Sequence, residues 1–298
     1  MQIKQNICLS PSKCQTIVET YFFTYTAAVS RIKTADCVIL RVNRLGEINK
    51  SLTLFSRDFG LISAVAYGAW KGTGKLTGAT DLLMLIKAFF YVDPVKDSWK
   101  LTDAQVKDDF SVLKTSLKAY YRASLCSEII MRTHGGGDLG ASLFELFIET
   151  LKELDTPDRD RLDYALIQFI LRFIRMSGQM ADPGTCQVCG RSLSPGASAV
   201  LDFHSAGFVC PVCSSLPGRE GIPVSPGALR YLAFTEHVSF GESLRVSADI
   251  PGRAELLRLC LVLAETVVGG PLKAAEAVAG YGRERDRVDS FRTAGLEP

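Results

Sequence analysis

After residue 33, apolar and polar positions alternate with a period of two. Val38, Leu40 and Val42 alternate with Ile39, Arg41 and Asn43, the pattern of a half-buried strand. Gly46 marks a turn. Leu52, Leu54 and Ser56 then alternate with Thr53, Phe55 and Arg57, and Asp58-Phe59-Gly60 makes the next turn. Residues 61–70 read as a third strand and 71–78 as a polar, glycine-rich loop. Residues 82–92 are a long apolar run broken by Asp93-Pro94, and 99–106 read as a fifth strand. Five short strands in so small a span predict a Greek-key barrel of the OB type over 34–110.

Beyond Asp109 the period becomes helical. Leu117, Tyr121, Leu125 and Ile129 recur every four residues, and 143–154 carries Phe144, Phe147, Ile148 and Leu151 on one side. Residues 162–177 are apolar on nearly every side, sparing a stripe of Gln168, Arg172, Arg175 and Gln179, so this helix is expected to be surrounded by protein. Ser225-Pro226 starts another helix, with serine at the N-cap and proline in the first turn. Residues 253–268 form the last strong helix. The expected fold class is α+β: an N-terminal barrel, then a helical domain over 111–298 with a four-cysteine module inserted at about 183–220. Residues 1–33 are expected to be a poorly ordered N-terminal extension. A signal-peptide reading is weak, because Glu19 and four threonines between Thr16 and Thr26 interrupt the apolar stretch.

The inserted module carries the sharpest chemistry. Cys186-Gln-Val-Cys189 is followed after twenty residues by Cys210-Pro-Val-Cys213. Two such knuckles at this separation predict a tetrahedral, all-cysteine zinc site. With four sulfur ligands no position stays open for water, so one structural zinc is expected. Gly190 directly follows the first knuckle, where the turn favours a residue free to take positive φ. The other five cysteines, Cys8, Cys14, Cys37, Cys126 and Cys260, have no framework spacing, which fits a reducing cytoplasm.

At 298 residues, 47% hydrophobic and 22% charged, the chain can bury the cores of two or three domains. Its formal net charge of only +2 means that any nucleic-acid contact must come from a local patch. One such patch lies in the barrel. Arg41, Arg44, Lys50, Arg57, Lys71 and Lys75 face Asp36, Glu47 and Asp58, a local excess of three positive charges, interleaved with Phe55, Phe59, Tyr67 and Trp70. Cations that follow a phosphate backbone beside aromatics on which bases stack are the ingredients of single-strand binding. A solvated strand face and core aromatics explain the same residues. A second cationic stripe, Lys114, Lys118 and Arg122, has i, i+4, i+8 spacing, a dock for an acidic peptide or a plain solvated helix face.

Catalytic patterns fail. Gly74-Lys75 lacks the upstream glycine, which is Ala69, and the following Ser/Thr, which is Leu76, so the loop is no P-loop. No nucleophile elbow occurs, and His134, His204 and His237 are scattered. His204 is expected to be an exposed loop residue. No apolar run suits a bilayer span; 162–176 contains Asp163, Gln168, Arg172 and Arg175. The sequence thus argues for binding and against catalysis.

The ordered set of segments resembles the RecO family of bacterial DNA repair proteins. It comprises Ala35-Asp-Cys-Val-Ile-Leu-Arg-Val-Asn-Arg-Leu-Gly-Glu47 and Lys50-Ser-Leu-Thr-Leu-Phe-Ser-Arg-Asp-Phe-Gly-Leu-Ile-Ser-Ala-Val-Ala-Tyr-Gly68. Leu143-Phe-Glu-Leu-Phe147, Cys186-Gln-Val-Cys-Gly190, Ala206-Gly-Phe-Val-Cys-Pro-Val-Cys213 and Ser225-Pro-Gly-Ala-Leu-Arg230 follow in order. The resemblance implies a recombination mediator that binds single- and double-stranded DNA, anneals complementary strands and works with RecR. Such a protein helps load RecA onto DNA coated by single-strand-binding protein, without nucleotide hydrolysis. It implies DNA contacts at Arg41, Arg44, Arg57, Lys71 and Lys75, although the 71–78 loop carries two lysines where the family is often richer in Arg and Lys. The stripe of Lys114, Lys118 and Arg122 is the expected dock for the acidic tail of single-strand-binding protein. A cytoplasmic, nucleoid-associated protein is expected, with no membrane partner. The competing class is a zinc-ribbon protein–protein adaptor with no direct DNA contact.

Overall fold

The computed structural model describes residues 31–279, apart from 73, 159–160, 194–195 and 206; most of the expected N-terminal extension lies outside the described residues. Five strands come first: β1 (Ile32–Leu45), β2 (Asn49–Ser56), β3 (Gly60–Ala66), β4 (Leu85–Asp93) and β5 (Ser98–Asp108). They close into a barrel in the order β1-β2-β3-β5-β4, the topology expected of the OB type. β3 and β5 run parallel and the other neighbours antiparallel. β1 begins at Ile32, slightly before the expected boundary, because Ile32 and Lys33 pair with Tyr91 and Phe90 of β4.

The barrel is filled by alternate residues, among them Cys37, Ile39, Leu52, Leu54, Ile86 and Phe90. Centrally, β1 is not the half-buried strand its alternation predicts. Cys37 and Ile39 point into the barrel, while Val38 and Leu40 join the core of the helical part, together with Phe55 of β2. The two hydrophobic cores therefore share β1 and β2, and β1 carries a bulge between Ile39 and Arg41.

The helical part follows: α1 (Ser111–Thr115), α2 (Leu117–Arg132), α3 (Gly140–Leu154) and α4 (Arg161–Met176). Next come β6 (Ala199–Asp202), β7 (Gly207–Val209), α5 (Pro211–Ser214) and β8 (Gly221–Val224). The chain continues through α6 (Pro226–Thr235), α7 (Phe240–Ser243), α8 (Ile250–Val267) and α9 (Lys273–Ala279). α4 is the central post; Leu166, Phe169, Ile170 and Leu171 are fully enclosed, and α2, α3 and α8 pack around it. Its polar stripe reaches protein partners with some of its atoms, while Gln168 Oε1, Arg172 Nε and Arg175 Nε are buried without a hydrogen bond. Gln168 donates to the Tyr231 hydroxyl, Arg172 to the carbonyl of Val238, and Arg175 to those of Leu232 and Thr235. Arg175 thus meets the negative end of α6. The helix read as last, now α8, is followed by α9, which returns onto α2. Glu128 of α2 accepts from the free N–H groups of Lys273 and Ala274 at the start of α9, both at 2.9 Å.

Candidate nucleic-acid interface and cysteine cluster

The cysteine module is a three-stranded sheet, β7-β6-β8, with one knuckle before it and the other at the start of α5. Gly190 takes φ +67° and donates its N–H to the carbonyl of Cys186 at 2.9 Å, closing the first knuckle as its position predicts. The N–H of Gln187 reaches the carbonyl of Phe208 at 2.9 Å, tying the knuckle to β7. The ligand atoms of Cys186, Cys189, Cys210 and Cys213 all lie within 4.8 Å of one another, and the sulfurs of Cys189 and Cys210 are 3.9 Å apart. A tetrahedron with metal–sulfur bonds of about 2.3 Å has edges of roughly 3.8 Å, so the four thiols fit a single metal ion. Burial works against ionisation of Cys186. The N–H groups of Cys189, Cys210 and Val188 outweigh it and hold the thiol down to about 6, with Cys210 N donating at 3.3 Å. Contact with the Cys210 thiol, and then burial, push Cys213 up to about 12. His204 is exposed, as expected.

The cations predicted for the barrel surface divide into three groups. Arg41, Lys71 and Lys75 are exposed. Arg41 borders a groove of about 560 Å³ between the barrel and the helices, lined by Leu82, Tyr120, Tyr121 and Met131. Arg44 and Arg57 are exposed but engaged. Arg44 donates to the carbonyls of Gly46 and Glu47, and Arg57 pairs with Glu145 of α3 at 2.7 Å. Lys50, counted in the local charge excess, is 3% exposed and therefore no part of a surface patch. Its ammonium donates to the carbonyl of Thr80 and to Asp81, and lies 4.8 Å from the centre of the Trp70 ring, pinning both ends of the glycine-rich loop to the barrel.

The second stripe requires a correction. Lys114 belongs to α1 and Lys118 to α2, and the two helices are broken at Ser116, whose hydroxyl caps α2 by accepting from Ala119 N. Arg122 is 3% exposed and pairs with Asp163 of α4. Lys114, Lys118 and Arg122 therefore do not form one solvent-facing row. Leu125 and Ile129 of the predicted apolar stripe are fully buried, as expected, and Tyr121 is half-buried, but the first position departs. Leu117 is 68% exposed, while Ala119, Ala123, Cys126 and Ile130 face the core. The physical reason is the buried carboxylate on α4, which draws Arg122 inward.

Among the interleaved aromatics, Phe55 is core, its ring 5.6 Å from that of Phe144. Phe59, Tyr67 and Trp70 are exposed. The structure adds cations and rings that the sequence reading did not place. Asn43 pairs with Ser51, Ser51 with Val65, Val65 with Lys100, Lys100 with Tyr91 and Tyr91 with Ile32, so one row crosses all five strands. It lies between inward-pointing Leu52, Ala64, Leu101 and Phe90 and therefore faces out. Lys100 sits between two tyrosines, its ammonium 5.9 Å from the ring centres of both Tyr67 and Tyr91. Arg31 donates to the Tyr91 hydroxyl at 3.2 Å. A usable signal was present in 86–91, where Ile86, Ala88 and Phe90 alternate with Lys87, Phe89 and Tyr91. The aromatic residues at alternate positions disguise it as one apolar run.

Among the described residues no helix is long and apolar enough to cross a membrane. Two family models match the chain: residues 31–110 match the N-terminal, and 114–276 the C-terminal, segment of recombination protein O. A protein of Dehalococcoides mccartyi named DNA repair protein RecO is 26% identical over 224 residues, covering 74% of this chain and 85% of the relative. Proteins of the same name from Desulfatibacillum aliphaticivorans and Acetivibrio thermocellus are each 28% identical, over 197 and 207 residues. They cover 65% and 69% of this chain, and 73% and 79% of the relatives.

Proposed function

Because this chain belongs to the RecO family of DNA repair and recombination proteins, we propose that it is a recombination mediator acting by binding rather than catalysis. It binds single- and double-stranded DNA and anneals complementary strands. With RecR it helps load RecA onto single-stranded DNA coated by single-strand-binding protein, in the cytoplasm at the nucleoid. The observation that carries this reading is the match of both family segments to a chain whose first segment folds into a closed barrel. Cations at Arg41, Lys71 and Lys75 are exposed at its surface, and Arg44 and Arg57 are exposed elsewhere on the barrel with protein partners. Phosphate contacts of this kind give affinity without sequence preference and a steep dependence on salt. Annealing of complementary oligonucleotides followed by fluorescence quenching tests the activity; spontaneous and protein-assisted rates that coincide would remove it.

The four-thiol site is proposed to hold one zinc ion through Cys186, Cys189, Cys210 and Cys213. A metal bound there supplies no reaction; it closes a small sheet that lacks a core large enough to stand alone. An adaptor role for this module is the second reading, favoured by exposed Val188, Val212 and Leu216 on and beside the knuckles. A protein that fails to shift labelled single-stranded DNA at low salt would favour the adaptor.

A further inference from the structure

We propose that Tyr67 and Tyr91, flanking Lys100, form a base-stacking platform on the outer face of the barrel, occupied by two neighbouring bases of a single-stranded nucleic acid. The inference rests on the DNA-binding reading and gives it a second component, separate from the phosphate-contacting cations.

Both rings lie 5.9 Å from one ammonium, so their centres are no more than about 12 Å apart. Tyr67 is 57% exposed, and neither ring belongs to the barrel core. Lys100 sits between the rings, and Arg31 donates to the Tyr91 hydroxyl at the exposed edge. The outward positions beside the rings are Ile32 on β1, paired with Tyr91, and Val65 on β3, paired with Lys100; beyond them Asn43, Ser51, Thr53 and Ser63 are short and polar. The result is an outer strand face that carries two aromatic rings, with small or branched side chains around them. Planar bases fit it better than a peptide does.

Charge points the same way. Lys100 and Arg31 stand at the rings, with Lys96 on the adjacent turn. Against these three cations stand two carboxylates of the same turn, exposed Asp97 and Asp93, which accepts from the N–H groups of Val95 and Lys96 at 3.0 and 3.3 Å, so the local excess is one positive charge. A phosphate can lie against Lys100 while the bases on either side cover the rings. Stacking accepts any base because every base has a π-face, and a duplex hides those faces, so this platform selects unpaired strands.

The test is anisotropy of the full chain with labelled oligo(dT), and with an abasic oligonucleotide of equal length, over a salt series. Tyr67→Ala and Tyr91→Ala should each weaken oligo(dT) binding about tenfold with the salt slope unchanged, and the abasic strand should bind wild type and variants alike. Tyr67→Phe and Tyr91→Phe should stay near wild type, since stacking needs the ring and not the hydroxyl. Alanine variants that bind oligo(dT) like wild type overturn the platform while leaving DNA binding in place. Equal loss on both strands also overturns it, as does loss in the phenylalanine variants. A wild-type protein that binds neither strand overturns the DNA reading and the platform together.

Discussion

Arg122 on α2 donates its Nε to Asp163 on α4 across 2.9 Å, with both side chains buried. Arg122 also reaches the carbonyl of Lys118 at 2.8 Å, and Arg253 of α8 approaches the other oxygen of Asp163 at 3.5 Å. One carboxylate thereby joins three helices. Removing one partner leaves a buried charge uncompensated, which costs more than the pair contributes. Arg122→Ala should lower stability by about 3–5 kcal/mol in urea unfolding. The double variant Arg122→Met, Asp163→Leu should recover most of that loss. A single variant with an unchanged midpoint would contradict this account.

Loss of a thiolate should unfold the cysteine module and spare the barrel. Cys210→Ser removes one of four ligands held within 4.8 Å of one another, and metal binding in such modules is folding energy. Elemental analysis should find about one zinc per wild-type chain and little in the variant, which should also be cleaved by protease within 183–220. Wild-type protein purified without chelator yet free of zinc would argue against the site.

Lys50 should govern the order of the loop that carries Lys71 and Lys75. Its ammonium holds the Thr80 carbonyl at 3.1 Å and Asp81 at 3.0 Å beneath the Trp70 ring. Lys50→Ala leaves that buried carbonyl without its donor, at a cost of about 1–3 kcal/mol. Thermal melts should register the loss, and limited proteolysis should cut between 70 and 82 sooner than in wild type. Identical cleavage kinetics would show the loop to be held by other contacts.

Gly136 lets the turn before α3 close against Leu143 of that helix. It has φ +79°, and an added Cβ would sit 2.9 Å from Leu143 Cδ2, itself 1% exposed. Gly136→Ala therefore combines left-handed backbone strain with a collision in a packed place. A destabilisation of about 1–3 kcal/mol is expected in urea titrations. Gly46, equally left-handed but with open space around it, serves as the comparison and should lose less.

Whatever depends on local pattern was legible in the sequence. The strand turns, the cysteine knuckles and the nearly all-apolar α4 each announce themselves within a few residues. What failed depends on a partner distant in sequence. Lys50 and Arg122 read as surface charge because their counter-groups, Asp81 and Asp163, lie 31 and 41 residues away. Val38 and Leu40 read as one face of a half-buried strand because the helices that cover them follow much later in the chain. The Lys100 and Tyr91 pair was invisible for the same reason: barrel closure brings β3, β4 and β5 together, and alternation in the apolar run of β4 does not stand out without it.

The most direct test of the central claim is the salt dependence of single-stranded DNA binding, read by anisotropy from low to physiological ionic strength. With up to five cations at the barrel, Arg41, Arg44, Arg57, Lys71 and Lys75, the slope of log K against log salt should fall between about −2 and −4. Reversing the charge of all five should flatten that slope and abolish most of the low-salt binding. No binding at low salt, or a slope that the five-fold variant leaves unchanged, would contradict the assignment of this barrel as the DNA-binding element.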